Sequence, residues 1–246
     1  MINKKNKSLL IIIPARLKSQ RLSKKLLRNI KGIPMIIRVG RAAIQTRLGD
    51  VFVATDSIKI FNLCKKNDIN ALMTPTNIKS GTDRVYKAYK TLKKKYDLIV
   101  NLQGDLPVFK SELVKKTANL FLDDKTEIGS AVCELEKLEI DDSNIVKAKV
   151  LLDKRDEGFA KDFCRKIKNR KNFYHHIGIY IYTPHSLRKF VELKQSSKEI
   201  ERSLEQMRAM DNQMKIKLVK VGSNPLSIDT KDDLKKIRLL FKENNY

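Results

Sequence analysis

The chain has 246 residues, 41% hydrophobic and 33% charged, which suits a soluble globular protein within the size range of one α/β domain. No apolar run approaches the roughly 18 residues of a membrane span, and Cys64, Cys133 and Cys164 form no CxxC pair, so neither a disulfide framework nor a zinc site is expected. The net charge of +24 points first to nucleic acid. However, the lysines are spread over the whole chain, and no helix-turn-helix, zinc-finger or RNP-like pattern accompanies them.

In chain order, "SLLIIIPA" reads as a first strand. Its apolar part is short and closed by Pro14, which argues against an export signal. A basic loop follows, with Arg16, Lys18, Arg21, Lys24 and Lys25 within ten positions. "PMIIRVGRAAIQT" has helical spacing, with Pro34 suited to an opening position. "DVFVATD" is a strand, and "SIKIFNLCKKND" a helix with Ser57 as a candidate N-cap. "INALMT" is a short strand and "SGTDRVYKAYKTLKKK" an amphipathic helix with Thr82 or Asp83 as cap. "YDLIVNLQGD" is a strand and "KSELVKKTANLFLDD" a helix.

The second half is less regular. "SAVCEL", "NIVKAKVLLD", "HHIGIYIYT" and "KIKLVKV" read as strands. "PHSLRKFVEL", "IERSLEQMRAMDN" and "TKDDLKKIRLLFKEN" read as helices, and "DKRDEGFAKDFCRKIKNRKNFY" as a mobile basic loop. The strand–loop–helix repeat predicts an α/β fold, a Rossmann-like, mostly parallel sheet with helices on both faces. A single domain over 1–246 is expected, with a subregion at about 131–190.

Open parallel sheets bind ligands at the carboxyl ends of their strands. "PARLKSQR", "ATDS" and "QGD" are three such ends. Arg16, Arg21 and Lys25 can neutralise a triphosphate, although no Walker A loop occurs. Arg84 in "SGTDR" is a candidate ligand contact, and Gln103 offers an amide beside Gly104. Asp105 is the first metal-ligand candidate and Asp229 in "SIDTKDDL" the second. A pair of carboxylates plus substrate oxygens is what Mg²⁺ requires. His176 and Tyr180, four apart on a strand, share a face; an aromatic core strand explains that spacing equally well. Glu205 and Gln206 read as part of an ordinary helix face.

Seven segments, "IPARLKSQRLSKKLL…GIPMI", "VATDS", "MTPTNIKSGTDRV", "NLQGDLP", "HHIGIYIY", "SLEQMRAM" and "IDTKDDL", resemble in order and spacing the 3-deoxy-manno-octulosonate cytidylyltransferases (CMP-Kdo synthetases). The resemblance covers nearly the whole chain. It implies a homodimeric, Mg²⁺-dependent nucleotidyltransferase of the cytoplasm. The implied reaction is CTP plus Kdo giving CMP-Kdo and pyrophosphate, for lipopolysaccharide biosynthesis. It also implies roles for residues. Pro14, Ala15, Arg16, Arg21, Lys25, Ser80, Arg84 and Gln103 would bind nucleotide. Gln103, His176, Tyr180, Glu205 and Gln206 would bind the sugar. Asp105 and Asp229 would hold metal, and with Arg16 and Lys25 would be catalytic. No membrane or nucleic-acid partner is implied. The chain departs from the family where "RLSKKLL" lacks the usual Pro and Gly, and where a short basic run, "KIKNRKNF", stands on the sugar side. Three alternatives stay open: another acidic sugar such as 8-amino-Kdo or a nonulosonate, a basic nucleic-acid-binding protein, and a catalytically weak CTP-binding relative.

Overall fold

Strand β1 (Leu9–Ala15) runs through the first of two units into which the chain divides. A computed structural model describes residues 7–17, 22–222 and 224–243. The first unit comprises Ser8–Tyr96, Val100–Ser111 and Pro225–Tyr246, and the second is built mainly from Glu112–Asn224. Leu10, Ile11, Ile12 and Ile13 are fully buried, as expected of a parallel strand covered on both faces.

A small hairpin follows, β2 (Asn29–Ile30) against β3 (Ile33–Pro34). Lys31 and Gly32 both have positive φ, 46° and 76°, the backbone a two-residue hairpin turn needs. The sequence reading assigns no element between the basic loop and Pro34, and so misses this hairpin. β4 (Gly49–Thr55) pairs parallel with β1, and β5 (Ala71–Met73) pairs parallel with β4. With β6 (Leu98–Leu102) the strand order is β5-β4-β1-β6, so this unit carries the expected parallel sheet.

Helices Met35–Gln45, Ile58–Lys65 and Gly81–Thr91 occur where periodicity places them. Pro34 sits one residue before the helix rather than inside its first turn. Ser57 caps as expected. The third helix is capped by Ser80, whose hydroxyl accepts from Asp83 N at 3.0 Å, and not by Thr82 or Asp83. Thr82 is inside the helix and buried, because the helix begins at Gly81, earlier than a cap at Thr82 or Asp83 would allow.

The second unit contains β7 (Ile128–Cys133), β8 (Lys147–Val150), β9 (Glu157–Cys164), β10 (Phe173–Tyr182) and β11 (Ile216–Lys220). Here the sheet is mostly antiparallel, which corrects the expectation of parallel pairing throughout; of these pairs only β11 with β7 is parallel. β10 pairs with both β7 and β8, closing the five strands into a ring. β9 lies inside the stretch read as a mobile basic loop. Its sequence lacks a clean alternation because both faces are half-covered. Two lysines are buried in these strands. Lys217 is neutralised by Asp123 and Glu157, each at 3.0 Å. Lys147 donates to the carbonyl oxygens of Asp142 and Arg165.

The helix expected over "IERSLEQMRAMDN" is two short ones, Ser197–Arg202 and Met207–Asp211. Ser203, at φ 52°, breaks them apart. Among the described residues no helix is long and apolar enough to cross a membrane. The three cysteines are free, and burial pushes the Cys64 and Cys133 thiols up to about 11 and about 12, which makes them inert.

Candidate active site

In the first unit, the chain ends strand β1 at Ala15 and turns into the basic loop. Ala15 is buried, Pro14 is half-buried and Arg16 is exposed. Arg21 and Lys18 lie outside the described residues. A short 3₁₀ turn, Lys25–Leu27, closes the loop, preceded by Lys24 in the left-handed conformation at φ 52°. Leu26 anchors that turn in the core. A Cβ added to Gly104 would lie 3.1 Å from Leu26 Cδ2 and 3.4 Å from the Pro14 carbonyl oxygen, and one on Gly81 would lie 3.6 Å from Pro14 Cγ. The turn of "QGD" and the start of "SGTDR" therefore both crowd Pro14, and glycine at Gly104 is what lets the backbone pass so close.

Two further links position Asp105 and Asp229. Val108 bridges Leu226, and Ile228 N donates to Asp105 O at 3.0 Å, so the two segments run side by side. Thr230 caps helix Lys231–Glu243 by accepting from Asp233 N at 3.1 Å, and Asp233 returns the bond to the amides of Asp229 and Thr230. In that reciprocal cap Thr230 is the capping residue, and the Asp229 carboxylate is turned to another purpose.

That purpose is Lys25. Its ammonium donates to Asp105 Oδ2 at 2.7 Å and to Asp229 Oδ1 at 2.9 Å. The lysine side chain is 15% exposed and the carboxylates 23% and 25%. Burial opposes the lysine charge, but the two carboxylates outweigh it and raise the Lys25 pKa above its ordinary value. Two carboxylates on one buried cation form a site of hard oxygen donors. Such a donor set suits Mg²⁺ when substrate oxygens complete it. Among the described residues no group of three or more His, Cys, Asp or Glu side chains is arranged to hold a metal without such help.

The remaining candidate residues of this unit form a supporting network. Arg84 is 3% exposed, and its guanidinium donates to Asp56 Oδ2 at 2.8 Å and to Thr74 Oγ1. It braces the "ATDS" strand end against helix Gly81–Thr91. Asn101 donates to Thr82 Oγ1 at 3.2 Å and accepts from Gln103 Nε2 at 3.2 Å, which orients the Gln103 amide. Asp56, Thr74 and Asn101 are residues that the motifs did not single out, although Asp56 stands at one of the three strand ends noted; Thr82 was considered only as a cap.

In the second unit, His176 and Tyr180 do come together, with ring centroids 5.5 Å apart. Phe163 packs edge-on against His176 at 5.0 Å. Ser130 Oγ donates to Ile179 O at 2.7 Å and lies 2.9 Å from His176 Nε2. Since the hydroxyl has one proton, Nε2 is the donor to it. Burial pushes the His176 imidazole down to about 3, so it is neutral at physiological pH. Burial, with the charge of Glu205 contributing, pushes the Tyr180 phenol well up. Glu205 and Gln206 lie in the turn between the two short helices, not on a helix face. A buried two-pronged ion pair staples that turn: Arg208 Nε donates to Glu199 Oε2 at 2.9 Å and its Nη2 to Oε1 at 2.7 Å. The spacing of Glu199 and Arg208, nine apart, gives no sequence signal for such a pair.

A family model described as "Cytidylyltransferase" matches residues 10–216. The chain is 37% identical over 239 residues to a 3-deoxy-manno-octulosonate cytidylyltransferase of Paramagnetospirillum magneticum, covering 95% of this chain and 97% of that one. It is 36% identical to the Rickettsia prowazekii protein of the same name, covering 94% of each. A solved CMP:2-keto-3-deoxy-manno-octonic acid synthetase complexed with CTP superposes with a TM-score of 0.86 at 30% identity, over 96% of this chain and 99% of that one.

Proposed function

Because the chain belongs to the 3-deoxy-manno-octulosonate cytidylyltransferase family of nucleotidyltransferases, we propose that it joins CTP and Kdo to give CMP-Kdo and pyrophosphate. The observation that carries this reading is the Lys25–Asp105–Asp229 cluster, in which the turn after β6 and the start of the last helix present their carboxylates to one lysine. Arg16, Arg21 and Lys25 are assigned to the triphosphate, where positive charge lowers the cost of gathering its oxygens. Gln103, oriented through Asn101, is assigned to substrate hydrogen bonding, and Ser80 and Arg84 to building the nucleotide side.

The sugar hydroxyl attacks the α-phosphorus, its oxygen–phosphorus bond forming as the bond to the β-phosphate oxygen breaks. Pyrophosphate carries away the electron pair, and the proton of the sugar hydroxyl passes to water. The rate gain comes from positioning and charge neutralisation. Asp105 and Asp229 fit Mg²⁺, since a cation already sits between their oxygens. Mg²⁺ held there would supply Lewis acidity at the α-phosphate and lower the pKa of the attacking hydroxyl. His176, Tyr180, Glu205 and Gln206 are assigned to the sugar. A neutral imidazole and a neutral phenol suit hydrogen bonding to hydroxyls. The family resemblance extends the reading to a cytoplasmic homodimer serving lipopolysaccharide biosynthesis.

The test is pyrophosphate release from CTP with Kdo and Mg²⁺, beside mixtures lacking one component. Release that needs all three is the expected result. Release without sugar, or none with Kdo while 8-amino-Kdo or a nonulosonate supports it, would reject Kdo as the acceptor.

A further inference from the structure

The Lys25 ammonium stands where the proposed divalent cation would sit. It contacts an oxygen of each carboxylate, at 2.7 Å and 2.9 Å. Bringing Asp105 and Asp229 together is unfavourable without a positive charge between them. The backbone fixes the pair regardless. Ile228 N to Asp105 O ties one segment to the other, and the Thr230–Asp233 cap holds the start of the helix beside Asp229. The lysine is held differently. Its backbone is pinned in the 3₁₀ turn by Lys25 N donating to Leu22 O at 3.1 Å and by buried Leu26, while the ammonium sits at the end of a four-carbon stem. The carboxylates are therefore a fixed receptacle, and the cation in it is mounted on a flexible arm.

We propose that Lys25 is an internal counter-cation that occupies the Asp105–Asp229 site and competes with divalent metal for it until a triphosphate draws the ammonium away. The inference rests on the nucleotidyltransferase reading for its purpose, but the competition itself needs no nucleotide. The same lysine then does two things in turn. It offsets the charge of the carboxylate pair in the free protein, and it meets the phosphates when they arrive. A polyanion offers the ammonium a new partner at the moment it releases the two carboxylates. Metal binding is thereby coupled to nucleotide binding, and the site disfavours divalent cation on its own.

The experiment is a Mn²⁺ titration without nucleotide or sugar, following the free-ion electron paramagnetic resonance signal. Wild-type protein is compared with Lys25→Met and with Lys25→Gln, which supplies a second neutral side chain if the first variant does not fold. Circular dichroism verifies folding. Removing the competing charge is expected to tighten Mn²⁺ binding at least about tenfold. Adding Asp105→Asn to either variant is expected to abolish the gain. A lysine with a merely structural role would, on removal, leave Mn²⁺ affinity unchanged or weaken it. Neutral variants that bind Mn²⁺ no more tightly than wild type would overturn the proposal, as would a gain that survives Asp105→Asn. Because the titration contains no substrate, it is independent of turnover. Tightened binding in a protein that does not turn over CTP would reject the functional reading alone, and unchanged binding in an active enzyme would reject this inference alone.

Discussion

The surroundings of Lys25 in the first unit and of His176 in the second handle charge in opposite ways. Around Lys25 the protein keeps ions as ions: burial opposes the ammonium, and Asp105 and Asp229 outweigh it. Around His176 the protein removes charge. Burial holds the imidazole down to about 3 and the Tyr180 phenol well up, so both are neutral. The contrast follows from partners rather than residue type. Lys25 has two carboxylates within 3 Å of its nitrogen, whereas His176 has a serine hydroxyl and the edge of Phe163. A site with paired ions suits a polyanion and a metal. A site of neutral donors suits sugar hydroxyls.

Breaking the charged site should have the largest effect. Asp105→Asn removes one of its two carboxylates, and the loss of several kcal/mol of charge stabilisation should lower pyrophosphate release by roughly 10²–10³-fold. Circular dichroism of the variant should match wild type, because the backbone bridge through Ile228 does not use the carboxylate. Retained activity would show that the carboxylate pair is not the reacting site.

The neutral site should declare itself through acid stability. An unfolded histidine binds a proton below about 6.5, whereas folded His176 resists it down to about 3. The unfolded state therefore holds more protons in that window, and stability falls as pH drops through it. The His176 contribution has a slope of up to about 1.4 kcal/mol per pH unit. Urea denaturation of His176→Gln across pH 4 to 7 should show a shallower pH dependence than wild type (this range follows from the same window). Equal slopes would mean that His176 is not held neutral by burial.

A smaller effect is expected at Tyr180→Phe, which removes one hydroxyl from the second unit. Losing a single neutral hydrogen bond should raise KM for the sugar by about tenfold or less and leave KM for CTP unchanged. A rise in KM for CTP instead would place the phenol on the nucleotide rather than the sugar.

The contrast also explains what was legible in the sequence. In the first unit, β1, β4, β6 and the helices between them follow simple periodicity, and the charged residues at their ends stand out. Asp105, Asp229 and Lys25 are far apart in sequence; Asp105 follows a strand, Lys25 closes the basic loop and Asp229 precedes the last helix, and the structure brings them together. Arg84 looked equally suited to ligand but is buried against Asp56 and Thr74, because helix Gly81–Thr91 turns it inward. Ser80 rather than Thr82 or Asp83 is the cap, a small shift along the chain that pattern alone does not resolve.

In the second unit the signals are weaker for physical reasons. β9 was read as loop because its half-covered residues do not alternate. Lys147 and Lys217 look like surface charges until a carbonyl pair and a carboxylate pair are found around them. The Glu205–Gln206 turn was read as helix, since nothing in "ERSLEQM" advertises that Ser203 adopts the left-handed conformation. It is tertiary packing, including the Glu199–Arg208 pair, that fixes the turn.

The most direct test of the account is phosphorus-31 nuclear magnetic resonance of a mixture of the protein, CTP, Kdo and Mg²⁺. The account requires the CTP signals to be replaced by one phosphodiester resonance and pyrophosphate in equal amounts. Unchanged CTP, or CMP with pyrophosphate and no sugar phosphodiester, would contradict it.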